Sequence, residues 1–182
     1  CMGTALAAPA KRVVLLPLET NGTGIYAETA EAMEIRLEKE FHVPLNGTLH
    51  IVELVPEAET EAALAEIRAG LHGRRVPLAD WMKPLAEKLQ ADIVAGIVVT
   101  DFWEYQHVNW RGDTWLESRA GLTLIGYDKS RDNVIERPVS RWFRSEYSPD
   151  GTAPSLAMDG LEELLPAQHF AEMLRAAGPA KK

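Results

Sequence analysis

The stretch LAEKLQADIVAGIVVTDFW, residues 85–103, decides the fold that we predict for this chain. Its first half ends an amphipathic helix, and its second half is a run of apolar, mostly β-branched residues without a polar face. A strand that carries apolar side chains on both faces is covered by other elements on both sides. The stretch therefore predicts the central strand of a sheet, with Val94, Ile97 and Val98 among the most buried positions.

Alternating strand and helix patterns precede this central strand. Apolar residues between Tyr26 and Phe41 recur at spacings of three and four, which is typical of one amphipathic helix. Pro84 is tolerated only near the first turn of a helix, so the helix that feeds the central strand is predicted to begin near Asp80 or Trp81. The predicted elements are a strand at 12–18 followed by a turn at 19–24, a helix at 26–41, a strand at 49–55 and a helix at 57–69.

Long extended segments follow the central strand. Residues 101–108 and 114–127 flank a polar turn and predict an antiparallel hairpin. Residues 134–147 predict one more strand, with Pro138 as a candidate break. A C-terminal helix that Pro166 either ends or kinks follows, and residues 167–176 can continue as a further helical segment. The predicted class is α/β: a single mixed sheet with the order strand-helix-strand-helix-helix-strand, then antiparallel hairpin strands and C-terminal helices.

No internal repeat or low-complexity linker divides the chain, so we predict one α/β domain at residues 13–177 and a disordered tail at residues 178–182. The 182 residues carry a net charge of -8, from 27 acidic and 19 basic side chains. That balance gives no overall basic surface for nucleic acid or an anionic membrane. The single cysteine, Cys1, excludes an internal disulfide framework and a cysteine-based zinc site.

Residues 1–12 are poor in charge and rich in small side chains, and Ala5-Leu6-Ala7 matches the small-x-small pattern of a secretory cleavage site. Three interpretations stay open. Cleavage near Ala7 would give a soluble exported protein, whereas a lipidated Cys1 would give a lipoprotein with a membrane tether. The third interpretation is a flexible leader without a targeting role.

Several segments carry a resemblance to bacterial envelope proteins. They are VVLLPLE at 13–19, the helix at 26–41, LAEKLQADIVAGIVVTDF at 85–102 and LTLIGYDKSRDNVI at 122–135. In particular, the helix ends in Ala91-Asp92 and enters a strand that contains Gly96, and Asp128 stands in a later turn. Together they resemble the N-terminal domain of TolB, the periplasmic domain of LpoB and parts of CsgG. The resemblance implies a non-enzymatic envelope domain that contacts other proteins or joins a larger assembly.

Aromatic side chains concentrate around the predicted hairpin. Trp103, Tyr105 and His107 alternate along one strand, so the period of two places them on one face. Trp110 and Trp115 flank the turn, and a tight tip would bring Trp115 beside that face. Because aromatic residues are enriched at binding hot spots, these five residues are a candidate partner-binding patch. The alternative is that the face packs beneath the C-terminal helices.

The loop at 20–24 offers a second candidate site, in which Gly22, Thr23 and Gly24 lie between a strand and a helix. Backbone N–H groups at such a position can hold a phosphate, although the loop lacks both the dinucleotide fingerprint and the P-loop motif. Turn formation and helix capping explain the same residues. The alternative function is therefore a small-molecule or nucleotide-phosphate-binding domain.

The sequence carries no recognisable catalytic or metal-binding motif: there is no G-x-S-x-G or HExxH, and the five histidines are scattered. We therefore assign no catalytic residues, metal ligands or cofactors. The predicted function is an exported, non-catalytic cell-envelope domain that acts in protein–protein contact, with other envelope proteins as partners.

Overall fold

The segment predicted as the central strand lies inside a six-stranded mixed sheet, in a computed structural model that describes residues 9–175. The strands are β1 (Lys11–Leu15), β2 (Glu19–Thr20), β3 (Val52–Leu54), β4 (Ile93–Val108), β5 (Thr114–Asp128) and β6 (Asn133–Glu146). The helices are α1 (Ala27–Lys39), α2 (Asn46–Leu49), α3 (Glu57–Gly70), α4 (Leu78–Leu89), α5 (Ala153–Gln168) and α6 (Phe170–Arg175).

The strand order is β3-β1-β4-β5-β6, and the short β2 also pairs with β4. β1 pairs in parallel with β3 and β4, whereas β4, β5 and β6 are antiparallel neighbours. Residues of α1, α5 and α6 pack on one face of the sheet, and residues of α3 and α4 pack on the other. The predicted class, a single mixed α/β sheet with an antiparallel half and C-terminal helices, is confirmed.

Burial along β4 follows the prediction for the central strand. The relative exposures of Val94, Ile97 and Val98 are 0%, 1% and 7%. Ile97 belongs to the apolar cluster beneath α1 and α5, whereas Val94 and Val98 belong to the cluster beneath α3 and α4. Both faces are covered here, which is why this strand has no polar face.

Asp92, one of the residues that carry the resemblance, connects the helix end to the sheet. The Asp92 backbone N–H donates to the carbonyl of Arg12 at 2.7 Å, and the Arg12 backbone N–H donates to Asp92 Oδ2 at 2.9 Å. Ala91 is fully buried, and its N–H bonds the carbonyl of Ala86. The alanine-aspartate pair thus aligns β1 with β4 and has a structural role.

Two predictions in the first part of the chain were wrong. Glu19 and Thr20, predicted as a turn, form β2 and pair with Val98 and Val99. The strand predicted at 49–55 is reduced to β3, because α2 occupies the residues before it.

The side chain of Asn46 explains why the second predicted strand is short. Its Oδ1 accepts the backbone N–H groups of Ile51 and Val52, each at 2.8 Å, and its Nδ2 donates to the Val52 carbonyl at 2.7 Å. A side-chain amide therefore occupies the edge position where a strand partner would bind. Local side-chain bonding of this kind competes with the ladder of a sheet.

Proline residues interrupt the structure less than predicted. α4 begins at Leu78, before the predicted start, so Pro84 is its seventh residue. The carbonyl that loses its helical partner belongs to Asp80, which is exposed and open to water. Pro138 lies within a continuous β6, which is the outer strand of the sheet, where a missing N–H costs no ladder bond. α5 continues two residues past Pro166, and His169 with φ 59° separates it from α6.

A β-bulge divides β4 into two halves. The register with β5 shifts between Val99 and Asp101, so Thr100 is the extra residue. Opposite the bulge stands Gly121, where a Cβ would lie 2.7 Å from Thr100 Oγ1. A bulge reverses the alternation of side chains along a strand. Phe102 therefore joins the cluster beneath α5, and the odd-numbered residues after it point to the opposite face.

No helix among residues 9–175 is long and apolar enough to cross a membrane. Of the predicted leader, residues 1–12, only residues 9–12 are described, and Lys11 and Arg12 lie in β1. The tail at residues 178–182 lies outside the described residues, so the predicted roles of leader and tail stay predictions. The bounds of the predicted domain, residues 13–177, also stay a prediction.

Candidate functional site

The antiparallel half of the sheet extends beyond the parallel half as an arm. β2 ends beside Val99, and within the described residues β4 pairs only with β5 from Asp101 onward. We define the arm as residues 101–108 of β4, 114–121 of β5 and 140–146 of β6, with the tip at residues 109–113. Its backbone is regular, because eight successive residue pairs join β4 to β5 from Asp101↔Gly121 to Val108↔Thr114 without a shift in register.

One face of the arm is covered by the chain itself. Leu116 is fully buried, and Ser118 Oγ donates a hydrogen bond to the carbonyl of Gly151. The backbone N–H of Ala153, at the start of α5, donates to Glu104 Oε2 at 3.0 Å. The C-terminal helix and the turn before it therefore occupy this face.

The opposite face carries aromatic side chains. Trp103, Tyr105 and His107 lie in sequence along β4, and Trp115 stands directly opposite His107 on β5. The next strand adds Trp142, because Arg119 pairs with Trp103 on one side and with Trp142 on the other. We call Trp103, Tyr105, His107, Trp115 and Trp142 the aromatic face.

This face is open to solvent. The relative exposures of Trp103, Tyr105 and Trp142 are 47%, 62% and 72%. The rings of Tyr105 and His107 stack with centroids 5.6 Å apart and an interplanar angle of 26°. His107 Nδ1 is shielded from solvent and has no hydrogen-bond partner among the described residues.

Charged side chains lie between the rings and pair across the strands. Arg119 Nε lies 3.5 Å from Asp101 Oδ2, and Arg144 Nε lies 2.9 Å from Glu117 Oε1. All four side chains project from the same face as the tryptophans, as the cross-strand register requires. The face therefore combines large apolar rings with two cross-strand ion pairs. Aromatic residues and arginine are enriched at protein interfaces.

The tip of the arm is a compact turn. Asn109 Oδ1 accepts the N–H groups of Arg111 and Asp113 at 2.9 and 3.0 Å, and Gly112 has φ +87°. Trp110 is 88% exposed, and the Arg111 guanidinium lies 4.7 Å from its ring centroid. Trp110 therefore projects from the end of the arm.

Sequence reasoning missed Trp142. It alternates with Ser140 and Arg144 in a polar segment, and nothing in that segment indicates its neighbours. Only the pairing of β6 with β5 brings Trp142 onto the row that contains Trp103.

The loop predicted to hold a phosphate is hydrogen-bonded to β4. The Asn21 N–H donates to the Val99 carbonyl at 3.1 Å, and Thr23 Oγ1 donates to the Phe102 carbonyl at 3.4 Å. Gly22 has φ +79°, which fits a turn, and Gly24 is exposed. Glu28 lies in the first turn of α1, where its carboxylate opposes an incoming anion. The loop thus helps to hold the base of the arm, and its phosphate role stays a prediction.

The remaining predicted feature, Cys1, lies outside the described residues. Within residues 9–175, no group of three or more potential metal ligands is placed to hold a metal ion. Away from the arm, burial and the hydrogen bond to Asp132 raise the pKa of Tyr127 to about 12.

The fold and the arm define the class of this protein as an α/β domain with one mixed sheet and a long antiparallel extension. No family model matches the sequence, and no curated protein matches it. Among solved structures, the hypothetical protein CT253 from Chlamydia trachomatis is similar, with a TM-score of 0.50 and 11% identity over 91% of this chain and 99% of that one.

Other solved structures match with lower scores. Lipoprotein GNA1162 from Neisseria meningitidis has a TM-score of 0.39 and 16% identity over 91% of this chain and 99% of that one. The LpoB C-terminal domain from Salmonella enterica has a TM-score of 0.34 and 14% identity over 77% of this chain and 86% of that one. The LpoB-like part of the predicted resemblance is therefore represented among the structural matches, and the TolB and CsgG parts stay predictions. At these identities the matches concern the fold alone.

Proposed function

We propose that this protein is a non-catalytic, exported cell-envelope domain that binds another envelope protein through the aromatic face of its arm. The observation that carries the proposal is that the arm exposes Trp103, Tyr105 and Trp142 on the face that α5 does not cover. Rings of this size bury much area at little entropic cost, which makes them effective anchors at an interface.

The energetics of the free protein also favour a binding role. An exposed tryptophan contributes little to the stability of its own domain, whereas the other face of the same strands is already packed. Within residues 9–175, β4 has no second strand partner beyond Phe102, so a partner protein could contact both the backbone of β4 and the rings. The proposed contact surface therefore includes residues of β4, β5 and β6.

Replacing Trp103 and Trp142 together by alanine tests the aromatic face. We expect the free energy of unfolding to change by less than about 0.5 kcal/mol per site, the range of surface substitutions. Proteins captured from a detergent extract of the host envelope and identified by mass spectrometry should be lost from the double variant. Leu49→Ala, which alters an apolar side chain that is 56% exposed and outside the arm, is the matched control and should retain them.

Two outcomes contradict the aromatic-face proposal. Early melting of the double variant would show that the rings stabilise the domain itself. Retention of the same proteins by the double variant would place the contact elsewhere on the surface.

Export is supported by the Ala5-Leu6-Ala7 pattern in the leader. We expect the protein in the envelope fraction of its host, with a mature N-terminus near Ala8 or a lipid-modified Cys1. Cell fractionation followed by mass spectrometry of the N-terminal peptide distinguishes the two forms. Recovery in the cytoplasm with the leader intact would contradict export.

A further inference from the structure

A groove of about 310 Å³ lies between α1 and the carboxyl ends of β1 and β3. Its floor is apolar and consists of Leu15, Leu16, Pro17 and Leu37. This volume is at the lower end of the range for ligand pockets, and the carboxyl ends of parallel strands are a recurrent place for them.

Two partly exposed apolar side chains, on different elements, also line the groove. Ile35 is 47% exposed and lies on α1 between the charged residues Glu34 and Arg36. Leu54 is 37% exposed and ends β3, the outer strand on this side of the sheet. The buried stripe of α1 contains Met33 and Leu37, so Ile35 does not contribute to the core.

Four glutamates also line the groove: Glu31, Glu34, Glu38 and Glu57. Among residues 9–175, no lysine or arginine contributes to the lining. Within the described residues, none of the four carboxylates takes part in an ion pair. In the part of the chain that the structure describes, one hydrogen bond reaches these carboxylates: the Leu18 backbone N–H donates to Glu34 Oε1 at 2.7 Å.

The nearby arginines are already paired with other carboxylates. Arg12 binds Glu53 and Glu59 at 2.8 and 3.0 Å. Arg36 binds Glu40 at 2.7 Å and also binds Glu162 on α5. Neither arginine pairs with the glutamates of the groove, and the negative charge of these glutamates favours a cationic occupant.

We propose that this groove binds a basic peptide segment of a protein partner, in which an apolar side chain stands between lysine or arginine residues. The apolar side chain would enter between Ile35 and Leu54, and the flanking cations would pair with the glutamates. Glu31 and Glu38 are separated by about 10 Å along the axis of α1. An extended chain covers that distance in about three residues, so the matching pattern is a pair of cations three positions apart.

The test uses the full chain and a capped synthetic peptide, Lys-Ala-Leu-Lys. In ¹⁵N–¹H NMR titrations we expect amide shifts confined to residues 15–18, 31–38 and 54–57, and binding that weakens as salt is added. Replacing both Glu31 and Glu38 by lysine should raise the dissociation constant of the peptide at least tenfold. Ile35→Gln, which changes an exposed apolar side chain without changing charge, should also weaken binding.

The matched control is the double variant Glu28→Lys, Glu61→Lys, which changes net charge equally at exposed positions that do not line the groove. It should bind the peptide as the unaltered chain does. If both double variants bound the peptide equally weakly, charge attraction alone would explain the binding and the proposal would be overturned. The same holds if a peptide with serine in place of leucine bound as tightly as the original peptide. Shifts spread over the arm, or no shift at millimolar peptide, would overturn it as well.

Discussion

Ile97→Ala is expected to destabilise the protein by about 2–5 kcal/mol, the usual cost of truncating a buried aliphatic side chain to alanine. Ile97 is 1% exposed and lies on β4, where it packs in the cluster beneath α1 and α5. The surrounding side chains come from several elements, so they cannot close the cavity without moving the helices. Urea denaturation followed by circular dichroism measures the change in the free energy of unfolding.

Val108→Ala provides the control on the same strand. Val108 is 66% exposed at the end of β4, so its truncation should change the free energy of unfolding by less than about 0.5 kcal/mol. If Ile97→Ala stayed within that range, the position of β4 at the centre of the sheet would be wrong.

Phe170→Ala is expected to cost about 3–5 kcal/mol, the range for a buried aromatic side chain. Phe170 is 1% exposed, and its ring centroid lies 4.9 Å from that of Phe41, at the end of α1. It also lies against Gly126, where a Cβ would approach Phe170 Cε1 to 3.1 Å. Because α6 has only six residues, it depends on Phe170 and Met173 to hold it against the sheet.

Thermal and urea denaturation of this variant, compared with Trp110→Ala, measures the effect. Trp110 is 88% exposed, so the loss of its larger ring should cost less than about 0.5 kcal/mol. If Phe170→Ala destabilised the protein as little as Trp110→Ala, α6 would not close the core. Hydrogen exchange in α6 should then be fast in the unaltered protein.

The elements of the sheet follow from the sequence wherever one physical signal dominates. The apolar run in β4 has no polar face, and this alone requires cover on both sides. The apolar spacing in α1 matches the helical period, and Met33 and Leu37 are buried as that spacing requires. The hairpin from β4 to β5 is similarly indicated by two long extended segments around a polar tip.

Other features depended on contacts between distant residues. The predicted strand at 49–55 was shortened because the Asn46 side chain bonds Ile51 and Val52, a competition that strand propensity does not include. Likewise, β2 forms because Glu19 and Thr20, which were predicted as part of a turn, pair with Val98 and Val99 of β4. The groove beside α1 also joins residues that are far apart in the sequence.

The orientation of the aromatic residues shows most directly what the sequence determined and what the tertiary structure determined. The sequence by itself determined that Trp103, Tyr105 and His107 share one face, because side chains alternate with a period of two along a strand. Without an interruption, they would share the face of Ile97 and Val99, which lies beneath α1 and α5. The bulge at Thr100 reverses the alternation, and Gly121 on the neighbouring strand provides the space for it. Only the tertiary structure could decide that these rings face solvent and that Trp142 stands beside them, since both depend on the pairing of separate strands.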